Sequence, residues 1–105
     1  SLKVANLRFA QAKSGARLEG PFEIVSLSGT LNEKACHLHI SIADSEGQVR
    51  GGHLLDECLV FTTCELVLLE DTTRVWERVQ DPATGYPELK ILKRNSHGTT
   101  EPTQE

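Results

Sequence analysis

The residues of this chain best suited to chemistry are three histidines in "ACHLHISIADSEGQVRGGHLL", residues 35–55. His37 and His39 stand one residue apart, and His53 follows Gly51-Gly52. A neutral imidazole is the commonest metal-ligating side chain. Three of them could clasp one divalent ion through bonds of about 2.0–2.1 Å, leaving a fourth position for water or substrate, as in catalytic rather than structural zinc sites. An ion held this way polarises a carbonyl oxygen and lowers the pKa of bound water to about 7. Zinc is the first choice for three imidazoles, with nickel and copper as alternatives. His97 lies in a polar C-terminal stretch and makes a poor fourth ligand.

Whether the three rings meet depends on two strands and the loop between them. In "HLHISIA" the side chains alternate, so His37, His39, Ser41 and Ala43 share one face, and Leu38, Ile40 and Ile42 form an apolar core face. "DSEG" has Asp first and Gly fourth, the signature of a type I turn. A three-residue hairpin loop with Gly47 in the left-handed conformation follows. It pairs Asp44 with Gln48, Ala43 with Val49, Ser41 with Gly51 and His39 with His53. Directly opposed residues point the same way, their Cβ atoms about 4.5–5.5 Å apart. His37 lies on that face about 6.6–6.8 Å along the strand. A two-residue loop would instead oppose His53 to Leu38, and a bulge at Gly51-Gly52 would also break the trio. The two glycines are expected to clear space beside the rings.

Strand signals dominate the rest of the chain. "LKVANLRFA" (2–10) alternates, "QAKSGARLEG" (11–20) reads as a polar connection, and "PFEIVSLSGTL" (21–31) is a strand with Pro21 at its first position. "CLVFTTCELVLL" (58–69) is apolar on both faces and is expected to be a central strand or a subunit interface. "VWERV" (75–79) continues the sheet, and "DPATGYPEL" (81–89) carries turn chemistry, with Gly85 for positive φ. Helix signals are weak throughout. Residues 93–105 lack periodicity and are expected to be a disordered polar tail.

The 105 residues suit one domain. A formal charge of −4, with arginines and lysines scattered singly, gives nucleic acid no obvious footprint. Three cysteines without a Cys-x-x-Cys pair argue against a disulfide framework. Cys36, Cys58 and Cys64 are expected to be small apolar core residues. Without a signal peptide or long apolar run, a cytoplasmic or nuclear location and no membrane association are expected.

"GPFEIVSLSG" (20–29), "HLHISIADSEGQVRGGHL" (37–54) and "DPATGY" (81–86), in this order, closely resemble the PPC domain, the family of PD1-like DNA-binding proteins. The resemblance spans roughly residues 1–92. It implies a β-rich α+β fold on a mainly antiparallel sheet, similar to acetolactate decarboxylase, and a homotrimer. In that enzyme an H-x-H pair and a later histidine hold zinc, and His37, His39 and His53 fall on the matching pattern. The resemblance implies an opening strand, helix and second strand ahead of "SLKVANLRFA", roughly forty residues by ordinary element lengths, and this sequence is expected to be truncated by that much. Where the signature often has Gly-Arg-Phe-Glu-Ile-Leu, Pro21 replaces the arginine and Val25 the leucine, which removes a basic contact.

Three functions compete. The first is a trimeric module of the DNA-binding family that keeps a zinc site. The second is a zinc-dependent enzyme acting on a small keto or hydroxy acid. The third is a non-catalytic trimeric scaffold. The enzyme needs an acid, base or cation beside the ion. Glu23, Glu65, Arg50 and Arg74 are the available candidates, while Asp44 and Asp56 read as turn and cap residues. Fold similarity alone does not carry chemistry across.

Overall fold

β1 (Leu2–Arg8) is the strand around which the first part of the chain closes. The computed structural model describes residues 1–95 and 100–102, in two compact units. The first unit comprises Ser1–Thr30 and Cys36–Leu66, the second Leu31–Ala35 and Val67–Glu105. His97 lies outside the described residues, and no helix occurs among them. The expected α+β class is therefore corrected in its helical part, since no segment carries an apolar stripe at helical period.

In the first unit β1 turns back into β2 (Ala16–Leu31), which runs on to β3 (Cys36–Ala43) and β4 (Val49–Leu54). Each bonds to the next, and β4 returns to β1 through Leu7↔Leu54 and Arg8↔His53, so four strands form a closed ring of pairings. β5 (Leu59–Val60) adds to β1 at Leu2 and Val4. Leu2, Ala5, Leu7, Phe22, Ile40 and Ile42 fill the interior, with Leu18, Ile24, Leu27 and Leu54 packed against them. Closure satisfies edges that a small open sheet would expose.

Several local expectations are corrected. Residues 16–20 are strand rather than connection, because Ala16 and Leu18 alternate with Arg17 and Glu19 against β1. Pro21 lies inside β2 instead of opening it. Leu2 pairs with Phe22 and Val4 with Glu19, so Gly20 and Pro21 together stand opposite Lys3. That extra residue is a bulge, the interior position where a missing N–H is tolerated. Of the apolar run 58–69 only Leu59–Val60 is strand. Phe61, Leu66, Val67, Leu68 and Leu69 are all exposed, so the run is not a central strand. Cys36 and Cys64 are exposed rather than buried. Cys58 is partly buried, its Sγ accepting from the Asn6 N–H at 3.2 Å.

"VWERV" does not extend the first sheet. β6 (Arg74–Gln80) and β7 (Pro87–Arg94) form a hairpin with β8 (Thr100–Pro102) alongside. The expected turn is present: the Gly85 N–H donates to the Asp81 carbonyl at 2.8 Å, with Gly85 at φ 76°. Of the expected polar tail, Lys93 and Arg94 belong to β7 and residues 100–102 to β8. The remainder, apart from Asn95, lies outside the described residues.

Asp71 ties the start of this sheet together. Its Oδ1 accepts from the Thr73 hydroxyl at 2.7 Å and the Thr73 N–H at 3.0 Å, and its Oδ2 from Trp76 Nε1 and Arg74 at 3.3 Å each. These donors, Thr73 foremost, pull its pKa down to about 2. A carboxylate depressed in the folded state contributes stability that is complete above the unfolded value of 3.8 and lost as pH falls through about 2. The fluorescence of Trp76, the single tryptophan, should therefore report a transition between these values that Asp71→Asn removes. An identical acid transition in both proteins would show that Asp71 does not hold the ring.

Candidate metal centre

The loop after β3 sets the register of the site. Asp44 and Gln48 close it, with the Asp44 N–H donating to the Gln48 carbonyl and the Gly47 N–H to the Asp44 carbonyl, both at 3.0 Å. Asp44 Oδ1 accepts from the Glu46 and Gln48 N–H groups at 2.9 Å. Gly47 takes φ 79°, in the left-handed region. The strands then pair Ala43↔Val49, Ser41↔Gly51 and His39↔His53, the register expected from three loop residues. No bulge intervenes at Gly51-Gly52. These glycines allow close strand approach rather than opening space: a Cβ on Gly51 would sit 2.7 Å from the Ile40 carbonyl oxygen, and one on Gly52 2.7 Å from that of Arg8.

His37, His39 and His53 meet on the outer face of the ring. Their ring centroids are 5.1 Å (His37–His39), 5.0 Å (His37–His53) and 5.4 Å (His39–His53) apart, with interplanar angles of 63°, 59° and 73°. One nitrogen from each lies within 4.8 Å of the others, so some point is within about 2.8 Å of all three. Rotations that bring each nitrogen in by less than about 1 Å reach bonding distance. His53 Nδ1 is buried without a hydrogen-bond partner. A buried nitrogen left unsatisfied is costly, and a metal ion is one group that would satisfy it. The donor set therefore fits a divalent ion of intermediate softness.

The surroundings of His53 favour its neutral, ligating form. Burial lowers its pKa, and the Arg8 guanidinium and the other two imidazoles lower it further. Arg8 was missed by sequence reasoning. It stands directly opposite His53 across β1 and β4, forty-five positions away in the chain, and no local spacing signals that pairing. Of the four candidates expected to support the site, Arg50, Glu23 and Glu65 belong to the first unit and Arg74 to the second. Arg50, paired with Ile42, alternates with His53 and helps line a shallow pocket with Arg17 and Phe22. Arg74 is bonded to Asp71 in the second unit. Glu23 and Glu65 are exposed and make no part of the histidine group. Asp44 is the turn residue expected, and the Asp56 carbonyl accepts from Asn6 Nδ2 at 2.8 Å.

The chain is similar to known proteins in sequence and, for one solved structure, in fold. The chain is 44% identical over 93 residues to the bifunctional protein GlmU of Synechococcus sp. (strain JA-3-3Ab). It is 45% identical over 91 residues to GlmU of strain JA-2-3B'a(2-13). The matches take in 89% and 87% of this chain but only 15% and 14% of those relatives. A solved structure of a hypothetical protein from Salmonella cholerae-suis superposes with a TM-score of 0.86 at 38% identity, covering 90% of this chain and 68% of that one. The family model of the Plants and Prokaryotes Conserved domain matches residues 1–72. With more than half its length matched, and with the histidine hairpin inside that span, the chain belongs to the Plants and Prokaryotes Conserved (PCC) domain family, as its PPC-like motifs imply.

Proposed function

We propose that this PCC domain is a homotrimeric binding module built around one divalent ion, zinc first, held by His37, His39 and His53. The supporting observation is the convergence of three imidazoles on one face with His53 Nδ1 unsatisfied. The ion would supply Lewis acidity at an open position, which suits a small oxygen-bearing ligand. The exposed apolar residues of 59–69 supply surface for self-association, and closed symmetric oligomers are the usual outcome.

Metal analysis tests the proposal. Purified protein should carry about one divalent ion per chain and His39→Ala far less. Equal contents would refute the assignment. A DNA-binding role rests on the family resemblance and has no support from the net charge of −4. It predicts retardation of duplex DNA that weakens steeply with salt; no retardation at low salt would remove that reading. Among the described residues no helix is long and apolar enough to cross a membrane.

A further inference from the structure

We propose that Arg8 makes the three-histidine centre a carboxylate site, in which one small anion is shared between the bound ion and the Arg8 guanidinium. The inference rests on the metal-centre reading above and goes beyond it by naming the ligand class and a residue that selects it.

The geometry carries the argument. Arg8 and His53 are directly opposed in an antiparallel pair, so their side chains leave the sheet on the same side with Cβ atoms about 4.5–5.5 Å apart. The neighbouring pair, Leu7 and Leu54, points into the core, which fixes Arg8 and His53 on the outer face with His37 and His39. Gly52 lets β4 lie close against the Arg8 backbone. Arg8 forms no ion pair among the described residues, whereas Arg17 and Arg74 are each matched to a carboxylate. Its charge is also felt at His53.

Charge then selects the ligand. Three neutral imidazoles leave the two positive charges of a divalent ion uncompensated, and no carboxylate joins the histidine cluster among the described residues. Arg8 adds a third positive charge at the rim. An anion relieves this repulsion, and a guanidinium fork matches the planar carboxylate better than it matches a point charge. The Ser26 and Ser41 hydroxyls, hydrogen-bonded at 2.5 Å, place further polar groups on this face, with Ser41 two residues from His39. A small carboxylate bearing a second oxygen could reach the ion with one group and Arg8 with the other.

The test uses cobalt(II)-loaded full-length protein, whose visible absorption reports changes at the ion without any assay of activity. Oxalate, acetate and inorganic phosphate are titrated into wild type, Arg8→Gln and Arg8→Lys at matched cobalt content. Oxalate should shift the wild-type spectrum and bind at least tenfold more weakly to Arg8→Gln, with Arg8→Lys between them. Unchanged oxalate affinity in Arg8→Gln would overturn the role of Arg8 while leaving the metal centre intact. Phosphate binding without oxalate binding would overturn the carboxylate assignment. Failure of wild type to take up cobalt would overturn the metal-centre reading, and this proposal with it.

Discussion

Saturating zinc should raise the unfolding free energy by about 4 kcal/mol once free ion exceeds its dissociation constant about a thousandfold, and His53→Ala should abolish the gain. The three imidazoles come together only when β3 and β4 are paired, so the binding energy of an ion held there would become folding energy. Urea titrations with zinc or chelator measure the difference directly. The chelated protein has a second signature. His53 has a lowered pKa in the folded state, chiefly from burial and then from Arg8, so the unfolded chain binds the extra proton. Stability from this group is complete above the unfolded value of 6.5 and falls as pH drops through the lower, folded value. His53→Ala should flatten that acid limb while removing the zinc response. A zinc gain of equal size in the variant would place the ion elsewhere.

The histidine register was legible because everything that sets it is local. Asp44, Gly47 and a period-two strand lie within twenty residues, and turn chemistry fixes how the strands align before any distant contact forms. What was not legible is the non-local half of the same site. Arg8 reaches His53 only because β1 closes the ring, and no pattern around position 8 distinguishes an open edge from a closing strand. The bulge at Gly20-Pro21 misled for a related reason. A proline reads as a boundary unless the partner strand is known, and here β1 absorbs the mismatch opposite Lys3. The apolar run 58–69 misled differently: its hydrophobicity signalled burial, yet Val67 and Leu69 are almost fully exposed. Hydrophobic patterning says that a surface seeks cover but not whether the cover comes from the same chain. Cys36 and Cys64 show that burial preference by residue type is only a tendency.

Gly29→Ala should destabilise the protein by about 3 kcal/mol or more, clearly beyond the effect of Gly47→Ala, although both glycines have positive φ. Gly47, at φ 79°, has nothing within 4 Å of where a Cβ would project, so alanine there meets backbone strain alone, about 1–2 kcal/mol. Gly29, at φ 155°, lies against β3, where a Cβ would overlap the His37 carbonyl oxygen and approach the Leu38 Cα at 2.9 Å. Backbone atoms in a paired strand cannot swing aside as a side-chain tip can, so overlap adds to conformational strain of about 1–3 kcal/mol. For a domain of ordinary stability, about 5–15 kcal/mol, that is a large fraction. With a urea m-value of about 1–3 kcal/mol per molar, the midpoint should fall by roughly 1 M or more. The displaced carbonyl belongs to His37, so zinc affinity should fall as well, whereas Gly47→Ala should keep it. Equal midpoints for the two variants would mean that β2 and β3 are not packed backbone to backbone at Gly29, and that His37 owes its position to something other than this contact.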